Sequence, residues 1–176
     1  MSETSARHKI EAPRALRFEI VTVSSSRFKQ LGEGKKTSDE SGDLVESLLK
    51  KAGHSIAFRR TILDSKRMIE EVMRSSLDSP NIDSVVFCGG TGISSTDTTI
   101  EAVSPFLEKT LPGFGETFRR LSFDEIGSAA ILTRAIAGVA GGKAFFCIPG
   151  SPQAARLCVV KLISVEAGHV VKHARE

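Results

Sequence analysis

Short apolar runs rich in β-branched residues alternate along the chain with segments whose apolar residues recur at helical spacing. Most of these runs are continuously apolar, which is typical of parallel strands buried on both faces. The pattern therefore predicts an α/β fold in which a mainly parallel central sheet lies between two helical layers, a three-layer sandwich. Strands are predicted at 16–23, 55–63, 83–88 and 143–148, and helices at 38–51, 65–77 and 153–165.

Other segments carry weaker patterns. Residues 28–37 are polar and rich in lysine, and we expect them to form a mobile surface loop. A further helix is expected to begin near Thr98, and the segment 112–115 (PGFG) is expected to end it. Two more helical candidates follow, at 116–121 and 124–135.

Length and composition fit one globular domain, which we place at 15–168 between a flexible N-terminal tail (1–14) and a C-terminal tail (169–176). The three cysteines form no C-x-x-C pair, and no apolar run is long enough to span a membrane. We therefore expect a cytoplasmic protein with free thiols and no membrane partner. The net charge of +3, with no Trp and no Tyr, gives no support to a nucleic-acid partner.

The segment VVFCGGTG places Gly89, Gly90, Thr91 and Gly92 directly after a predicted strand. In open α/β sheets, ligands bind outside the carboxyl ends of the strands. Glycines at that position let backbone N–H groups approach a ligand, and a following helix adds its N-terminal dipole. The loop is thus a candidate anion site, although a plain tight turn remains the alternative when it is considered alone.

Two aspartates accompany this loop. Asp97 lies just before the helix expected near Thr98, where it could cap the helix or hold a divalent cation such as Mg²⁺ against phosphates. Asp64 follows the second predicted strand and could supply another carboxylate or cap the helix after Ser65. A glycine loop and a carboxylate together favour Mg-nucleotide binding.

The loops after the other predicted strands add candidate binding residues. Pro149, Gly150 and Ser151 follow the strand at 143–148 and open a helix, so they form a second candidate anion site. Ser25 lies in the loop after the first strand.

The sequence gives no support to three other kinds of site: a Walker A loop, a hydrolase nucleophile elbow and a histidine metal site. The segment 32–37 (GEGKKT) lacks the spacing of a Walker A loop, and the chain has no G-x-S-x-G elbow. His169 and His173 are four residues apart, but in a polar tail without a third ligand we do not expect them to bind a metal.

Several motifs occur together in an order that resembles the MogA/MoaB family of molybdenum-cofactor biosynthesis proteins, with the MoaB branch the nearer. The resemblance covers roughly residues 16–165. The motifs are the D-x-S-G segment at 39–42, GGTG at 89–92 with Asp97, PGFGE at 112–116, FRRLSFDEIG at 118–127, TRAIAGVAGG at 133–142 and PGSP at 149–152.

The resemblance implies a molybdopterin-binding α/β fold and transfer of AMP from Mg-ATP to the terminal phosphate of molybdopterin, with release of pyrophosphate. It assigns the two functional aspartates to Asp97, also the metal ligand, and Asp64. The loops at 89–92 and 149–151, with Ser25 and Glu116, are then expected to bind substrate or nucleotide. Members of the family assemble as trimers or hexamers.

The chain departs from the family pattern where positive charge is expected. Many members carry a basic residue before the loop aspartate, where this chain has Thr96, and a lysine after the second loop, where it has Ser151-Pro152-Gln153. These departures leave open a molybdopterin- or precursor-binding protein without catalysis. A third hypothesis keeps the fold but changes the reaction, as in the related CinA group.

Overall fold

A six-stranded sheet forms the centre of residues 12–176, the part of the chain that the computed structural model describes. The strands are β1 (Arg17–Val23), β2 (Ser55–Ile62), β3 (Ser84–Cys88), β4 (Lys109–Thr110), β5 (Ile136–Ala140) and β6 (Lys143–Ile148). Their order across the sheet is β2-β1-β3-β6-β5-β4. The first four strands in this order are parallel, whereas β5 runs antiparallel to β6 and β4 antiparallel to β5.

Helices cover both faces of this sheet. Short 3₁₀ helices at Ser104–Phe106 and Gly127–Leu132 precede β4 and β5, and a π-helical turn at Val159–Ile163 joins the last two helices. None of the helices in residues 12–176 is both long and apolar enough to cross a membrane. The helices are α1 (Ser25–Gly32), α2 (Glu40–Lys51), α3 (Lys66–Asp78), α4 (Thr99–Val103), α5 (Pro112–Ile126), α6 (Pro152–Cys158) and α7 (Ser164–Ala174).

Alternate residues of the central strands enter two separate hydrophobic cores. Val86 of β3 and Phe146 of β6 face the core that α2, α5, α6 and α7 complete, whereas Val85 and Phe145 face the core completed by α3 and α4. Successive side chains of a strand point to opposite faces of the sheet, so a strand with a helix layer on each side is apolar at every position. The predicted three-layer α/β fold with a mainly parallel sheet is confirmed.

The expected loop at 28–37 is wrong for its first half, because Ser25–Gly32 form α1. Ser24 begins the helix, and its hydroxyl accepts a hydrogen bond from the Arg27 amide at 3.4 Å. No residue of α1 is buried, and its two large apolar side chains, Phe28 and Leu31, are 36% and 49% exposed. Two apolar positions in eight residues are too few to establish a helical period in the sequence.

The expected C-terminal tail at 169–176 is also wrong, since α7 continues to Ala174. Ile163, Ala167 and Val171 recur every four residues and are fully buried, but this narrow apolar stripe lies among polar residues. Of the expected N-terminal tail at 1–14, residues 1–11 lie outside the described part of the chain.

Two strands escaped prediction, and one helix began earlier than expected. The segment 112–115 opens α5 rather than ending a helix, with Pro112 in the first turn, where a missing N–H costs nothing. The helix expected at 124–135 ends at Ile126, and β5 follows shortly after. Gly141 and Gly142, both at positive φ, join β5 to β6 as a tight hairpin, and β4 has only two residues.

Asp83 ties the amino end of the parallel strands to the end of the chain. Its carboxylate accepts hydrogen bonds from the Arg17 backbone and guanidinium at 2.8–3.0 Å, and from Arg175 at 2.7 Å. The hydrogen bonds from Arg17 above all, together with those from Arg175, hold the pKa of Asp83 well below its usual value. The carboxylate side chain is only 9% exposed, so solvent screens these contacts weakly.

We predict that Asp83→Asn lowers the free energy of unfolding at pH 7 by about 2 kcal/mol, because an amide cannot replace a carboxylate shared by two guanidinium groups. A group with a depressed pKa stabilises the fold above its unfolded pKa, about 3.9 for Asp, and loses that effect at lower pH. The difference between Asp83→Asn and the wild type should therefore shrink from pH 5 to pH 3 in urea unfolding curves.

Glu71→Gln is the matched control, since Glu71 pairs with an Arg67 side chain that is 86% exposed. It should change the unfolding free energy little at either pH. A loss of stability that is equal for both variants, or one for Asp83→Asn that does not depend on pH, would contradict the role given to Asp83.

Candidate functional site

The carboxyl ends of β1, β3 and β6 meet at a cavity of about 400 Å³. Its lining comes from the ends and following loops of these three strands, from the start of α2, and from Thr133 and Arg134 just before β5. This is the edge at which open parallel sheets bind ligands. The strand topology alone therefore brings the loop at 89–92 and the loop at 149–151 to the same place.

The backbone at Gly89 and Gly90 excludes any larger residue. Gly89 has φ +108°, and a Cβ placed on it would lie 2.4 Å from the carbonyl oxygen of Val23. Gly90 has φ +62°, and a Cβ there would lie 2.3 Å from the hydroxyl oxygen of Thr99. Both the left-handed conformation and the close approach require glycine. The loop is thus pressed against β1 and α4.

Hydrogen bonds fix the loop through its carbonyl groups. The Thr99 hydroxyl donates to the Gly89 carbonyl at 2.9 Å, and the Thr99 amide donates to the Gly90 carbonyl at 3.0 Å. In the described part of the chain, no amide of Gly90, Thr91 or Gly92 donates to a protein acceptor. Buried or half-buried backbone donors normally have a partner. The loop therefore offers N–H groups to a ligand that accepts hydrogen bonds.

Asp97 lines this cavity. Its Oδ2 accepts a hydrogen bond from the Ser94 amide at 2.9 Å and lies 2.7 Å from the point where Gly92 would carry a Cβ. Thr98, not Asp97, occupies the position before the first helical residue of α4, and no side chain caps that helix end from there. Asp97 is therefore placed at the cavity beside the glycine loop and does not cap α4.

Asp64 lies behind the loop and does not line the cavity. Its Oδ1 accepts hydrogen bonds from the Thr98 amide at 3.1 Å and the Thr98 hydroxyl at 2.9 Å, and its Oδ2 lies 2.5 Å from the Cβ position of Gly90. The Ser25 hydroxyl in turn accepts from the Asp64 amide at 3.3 Å. Asp64 and Ser25 hold the turn that carries Asp97 rather than facing a ligand themselves.

The second predicted loop packs directly on the first. A Cβ on Gly150 would lie 3.2 Å from the Gly89 Cα, and the Ser41 hydroxyl donates to the Gly150 carbonyl at 2.6 Å. Pro149 and Gly150 line the main cavity. Ser151 accepts a hydrogen bond from the Ala154 amide at the start of α6. It lines a neighbouring cavity of about 110 Å³, which shares Thr133 and Pro149 with the main cavity.

Glu116, which the resemblance assigned to ligand binding, does not reach either cavity. It is exposed on α5 and lines neither of them. In this single chain the structure therefore brings the loops at 89–92 and 149–150 together with Asp97, but not with Glu116.

Two arginines that the sequence analysis did not single out also line the cavity. Arg27 of α1 donates from Nε to the Ser38 carbonyl at 2.9 Å, and Arg134 pairs with Glu101 at 2.5 Å. Arg27 lies in a short helix that was not predicted, and Arg134 precedes a strand that was not predicted. The run of serines before Arg27 at the end of a strand is the pattern that could have identified it.

A half-buried carboxylate, that of Asp39, supports the floor of the cavity. Asp39 accepts hydrogen bonds from the Thr22 hydroxyl at 2.6 Å and from Arg59 at 3.0 Å. Burial raises the pKa of Asp39, but these two hydrogen bonds and one from the Gly42 amide outweigh that effect, so its pKa lies below the usual value. Asp39 therefore remains ionised at neutral pH and fixes Thr22, which lines the cavity.

The cavity offers neither a thiolate nucleophile nor a complete metal cage. Burial raises the pKa of the Cys88 thiol to about 12, so the thiol stays protonated at neutral pH. Within residues 12–176, no group of three or more His, Cys, Asp or Glu side chains is placed to hold a metal ion. A cation at Asp97 would have to take its other ligands from water or from a bound phosphate.

Known proteins resemble the whole of this domain. A family model described as a probable molybdopterin binding domain matches residues 19–169. Molybdenum cofactor biosynthesis protein B of Bacillus cereus is 43% identical over 164 residues, which cover 93% of each protein. The probable molybdopterin adenylyltransferase of Methanocaldococcus jannaschii is 39% identical over 161 residues, covering 92% of this chain and 95% of that protein.

The fold is also shared with a solved structure. The crystal structure of the tungsten cofactor synthesizing protein MoaB from Pyrococcus furiosus has a TM-score of 0.82 to this chain at 36% identity. The match covers 94% of this chain and 100% of that one.

We predict that Gly89→Ala lowers the free energy of unfolding by more than about 2 kcal/mol, because the new Cβ would clash with the Val23 carbonyl at an unfavourable φ. Gly113→Ala is the matched control, since nothing lies within 4 Å of its Cβ position in the first turn of α5. The control should be neutral or slightly stabilising. Urea unfolding measures both, and equal stabilities would contradict the tight packing of the loop.

Proposed function

The chain belongs to the MogA/MoaB family of molybdopterin-binding domains, and we propose that it binds molybdopterin and Mg-ATP and transfers AMP to the terminal phosphate of molybdopterin. Pyrophosphate is the second product. One observation carries this proposal: the amides of Gly90, Thr91 and Gly92, which have no protein acceptor within residues 12–176, lie beside the Asp97 carboxylate in a cavity of about 400 Å³. Relatives named molybdopterin adenylyltransferase support it.

The loop and the arginines are suited to phosphates rather than to neutral ligands. Backbone N–H groups in a glycine loop donate to phosphate oxygens without requiring flexible side chains to be ordered. Arg27 adds positive charge to the same cavity, and Arg134 also lines it while paired with Glu101. The neighbouring cavity beside Ser151 extends the space for a second part of the ligand.

The donor set at Asp97 fits Mg²⁺, which usually takes one or two carboxylates together with water and substrate phosphates. Bound there, the ion would neutralise charge on the α-phosphate of ATP. In this arrangement Asp97 supplies the carboxylate ligand, and its hydrogen bond from the Ser94 amide holds it in place. Asp64 acts as a positioning residue, because its bonds to Thr98 fix the turn on which Asp97 lies.

The reaction needs no nucleophile from the protein. A terminal phosphate oxygen of molybdopterin attacks the α-phosphorus of ATP, a new P–O–P bond forms, and the bond to the β-phosphate oxygen breaks with pyrophosphate leaving. Such transfers depend mainly on positioning and on stabilising negative charge. The loop amides and the two arginines provide both, while the protonated Cys88 thiol takes no part.

A binding protein without turnover is the alternative, and one observation favours it. Position 96 carries a neutral threonine, whose hydroxyl lies 3.1 Å from that of Ser94, where many family members have a basic residue. The cavity therefore has less positive charge beside Asp97 than the family pattern provides. Such a protein would bind molybdopterin at the same loops but would not release pyrophosphate from ATP.

We further infer that the chain forms a homo-oligomer, as the resemblance implies. Phe123 and Ile131 are 58% and 81% exposed, on α5 and the turn that follows it. Of the phenylalanines in this region, Phe118 is fully buried, so only part of the group belongs to the core. An exposed apolar surface of this kind supports a contact between subunits.

We predict that Asp97→Asn lowers the rate of pyrophosphate release, measured with ATP, Mg²⁺ and molybdopterin, by at least about 100-fold. The amide keeps an oxygen that can accept from Ser94 but loses the charge that holds Mg²⁺. The melting temperature and the binding of molybdopterin should stay close to those of the wild type.

Asp124→Asn is the matched control, because Asp124 is 58% exposed on α5 and lies 3.7 Å from Arg120. It should leave the rate unchanged. A rate for Asp97→Asn close to that of the wild type would contradict the role of Asp97. No pyrophosphate release by the wild type, despite molybdopterin binding, would overturn the transferase and favour the binding protein.

A further inference from the structure

Two histidines near the end of α7 face each other on the same side of the helix. His169 and His173 are four residues apart, and their Nε2 atoms lie 3.0 Å from each other. The ring centroids are separated by 4.7 Å and the planes are tilted by 56°, so the rings do not stack. Residues four apart on a helix are neighbours, which is what brings the two nitrogens together.

Each ring is oriented by a carboxylate on its other nitrogen. Nδ1 of His169 lies 3.3 Å from Glu166, and Nδ1 of His173 lies 2.7 Å from Glu176. A carboxylate only accepts hydrogen bonds, so each Nδ1 carries the hydrogen. When the rings are neutral, both Nε2 lone pairs then point toward the same space. The 3.0 Å contact is a hydrogen bond while one Nε2 carries a proton, and a metal ion that replaces this proton would take both lone pairs.

This arrangement matches the way proteins prepare histidines for a metal. Histidine ligands characteristically donate their second ring N–H to a carboxylate, which fixes the tautomer and makes the free nitrogen more basic. With metal–nitrogen bonds of about 2.1 Å, a right angle at the metal separates two nitrogens by about 3.0 Å, and a tetrahedral angle by about 3.4 Å. The observed 3.0 Å fits the right angle of square-planar or octahedral ions better.

The pair lies away from the proposed phosphate site. His169 and His173 line a cavity of about 360 Å³ between α7, β4 and β5. This cavity shares no lining residue with the one at the carboxyl ends of the strands. The nearby Arg175 binds Asp83, just before β3, so the histidines are at the amino end of the parallel strands. The proposed transferase reaction uses neither histidine.

We propose that His169 and His173 form a two-histidine site for a late first-row divalent metal ion, of the Ni²⁺ or Cu²⁺ class. The two histidines supply two of the metal's ligands, and no group of three or more His, Cys, Asp or Glu side chains placed to hold a metal exists among residues 12–176. From the sequence alone we expect no metal at His169 and His173, because the segment 169–176 is predicted to be a tail. The helix supplies the fixed spacing that a tail would lack.

The test is a calorimetric titration of the untagged full-length protein with NiCl₂, and separately with MgCl₂. The wild type should bind one Ni²⁺ per chain and give no comparable heat with Mg²⁺, which prefers oxygen ligands. His169→Gln and His173→Gln should each weaken Ni²⁺ binding at least about tenfold, since a chelating ligand is lost. Glu176→Gln should weaken it less.

The matched control carries His169→Gln together with Lys172→His, which keeps the number of histidines but places two of them next to each other, on different sides of the helix. It should bind Ni²⁺ as weakly as His169→Gln alone. Equal binding by the wild type, both single variants and the control would overturn the proposal. So would a wild type that binds no Ni²⁺, which would mean that the two nitrogens share only a proton.

Discussion

The contact between Gly89 and the carbonyl of Val23 is the constraint on which the proposed site depends. It exists because β1 and β3 are adjacent parallel strands that end at the same edge, and because Gly89 adopts a conformation that other residues rarely adopt. Thr99 donates to the carbonyl groups of Gly89 and Gly90, and among the described residues no acceptor lies opposite the amides of Gly90, Thr91 and Gly92. An anion site thus follows from how the backbone packs, before any charged side chain is considered.

The amino edge of the sheet stabilises the fold, whereas the carboxyl edge forms the proposed binding site. At the amino edge, Asp83 joins β1, β3 and the end of the chain through hydrogen bonds to a carboxylate that is only 9% exposed. At the carboxyl edge, the amides of Gly90, Thr91 and Gly92 lack acceptors in the described part of the chain, and the guanidinium groups of Arg27 and Arg134 contact the Ser38 carbonyl and Glu101. Stability supplied at one edge allows the other to keep donors for a ligand, a division that is common where function requires unsatisfied groups.

The parallel strands and the position of the candidate loops could be predicted from the sequence, because burial on both faces gives a strand a recognisable pattern. A strand buried on both faces is apolar throughout, so β1, β3 and β6 were evident, and the loops that follow such strands are where ligands bind. The helix α1 and the hairpin partner β5 were missed, because α1 has only two large apolar residues and three of the five residues of β5 are alanine or glycine. The sequence does not predict which of Asp64 and Asp97 faces the cavity. That depends on the conformation of the turn before α4, and hydrophobic patterns carry no information about it.

The most direct test of the central claim is to follow the backbone ¹H and ¹⁵N chemical shifts of the protein while Mg-ATP is added. The account predicts that the amides of Gly90, Thr91 and Gly92 shift the most and saturate together, and that those of the exposed helix face around Glu116 do not move. Saturable shifts confined to another part of the molecule, with these three amides unchanged, would contradict it.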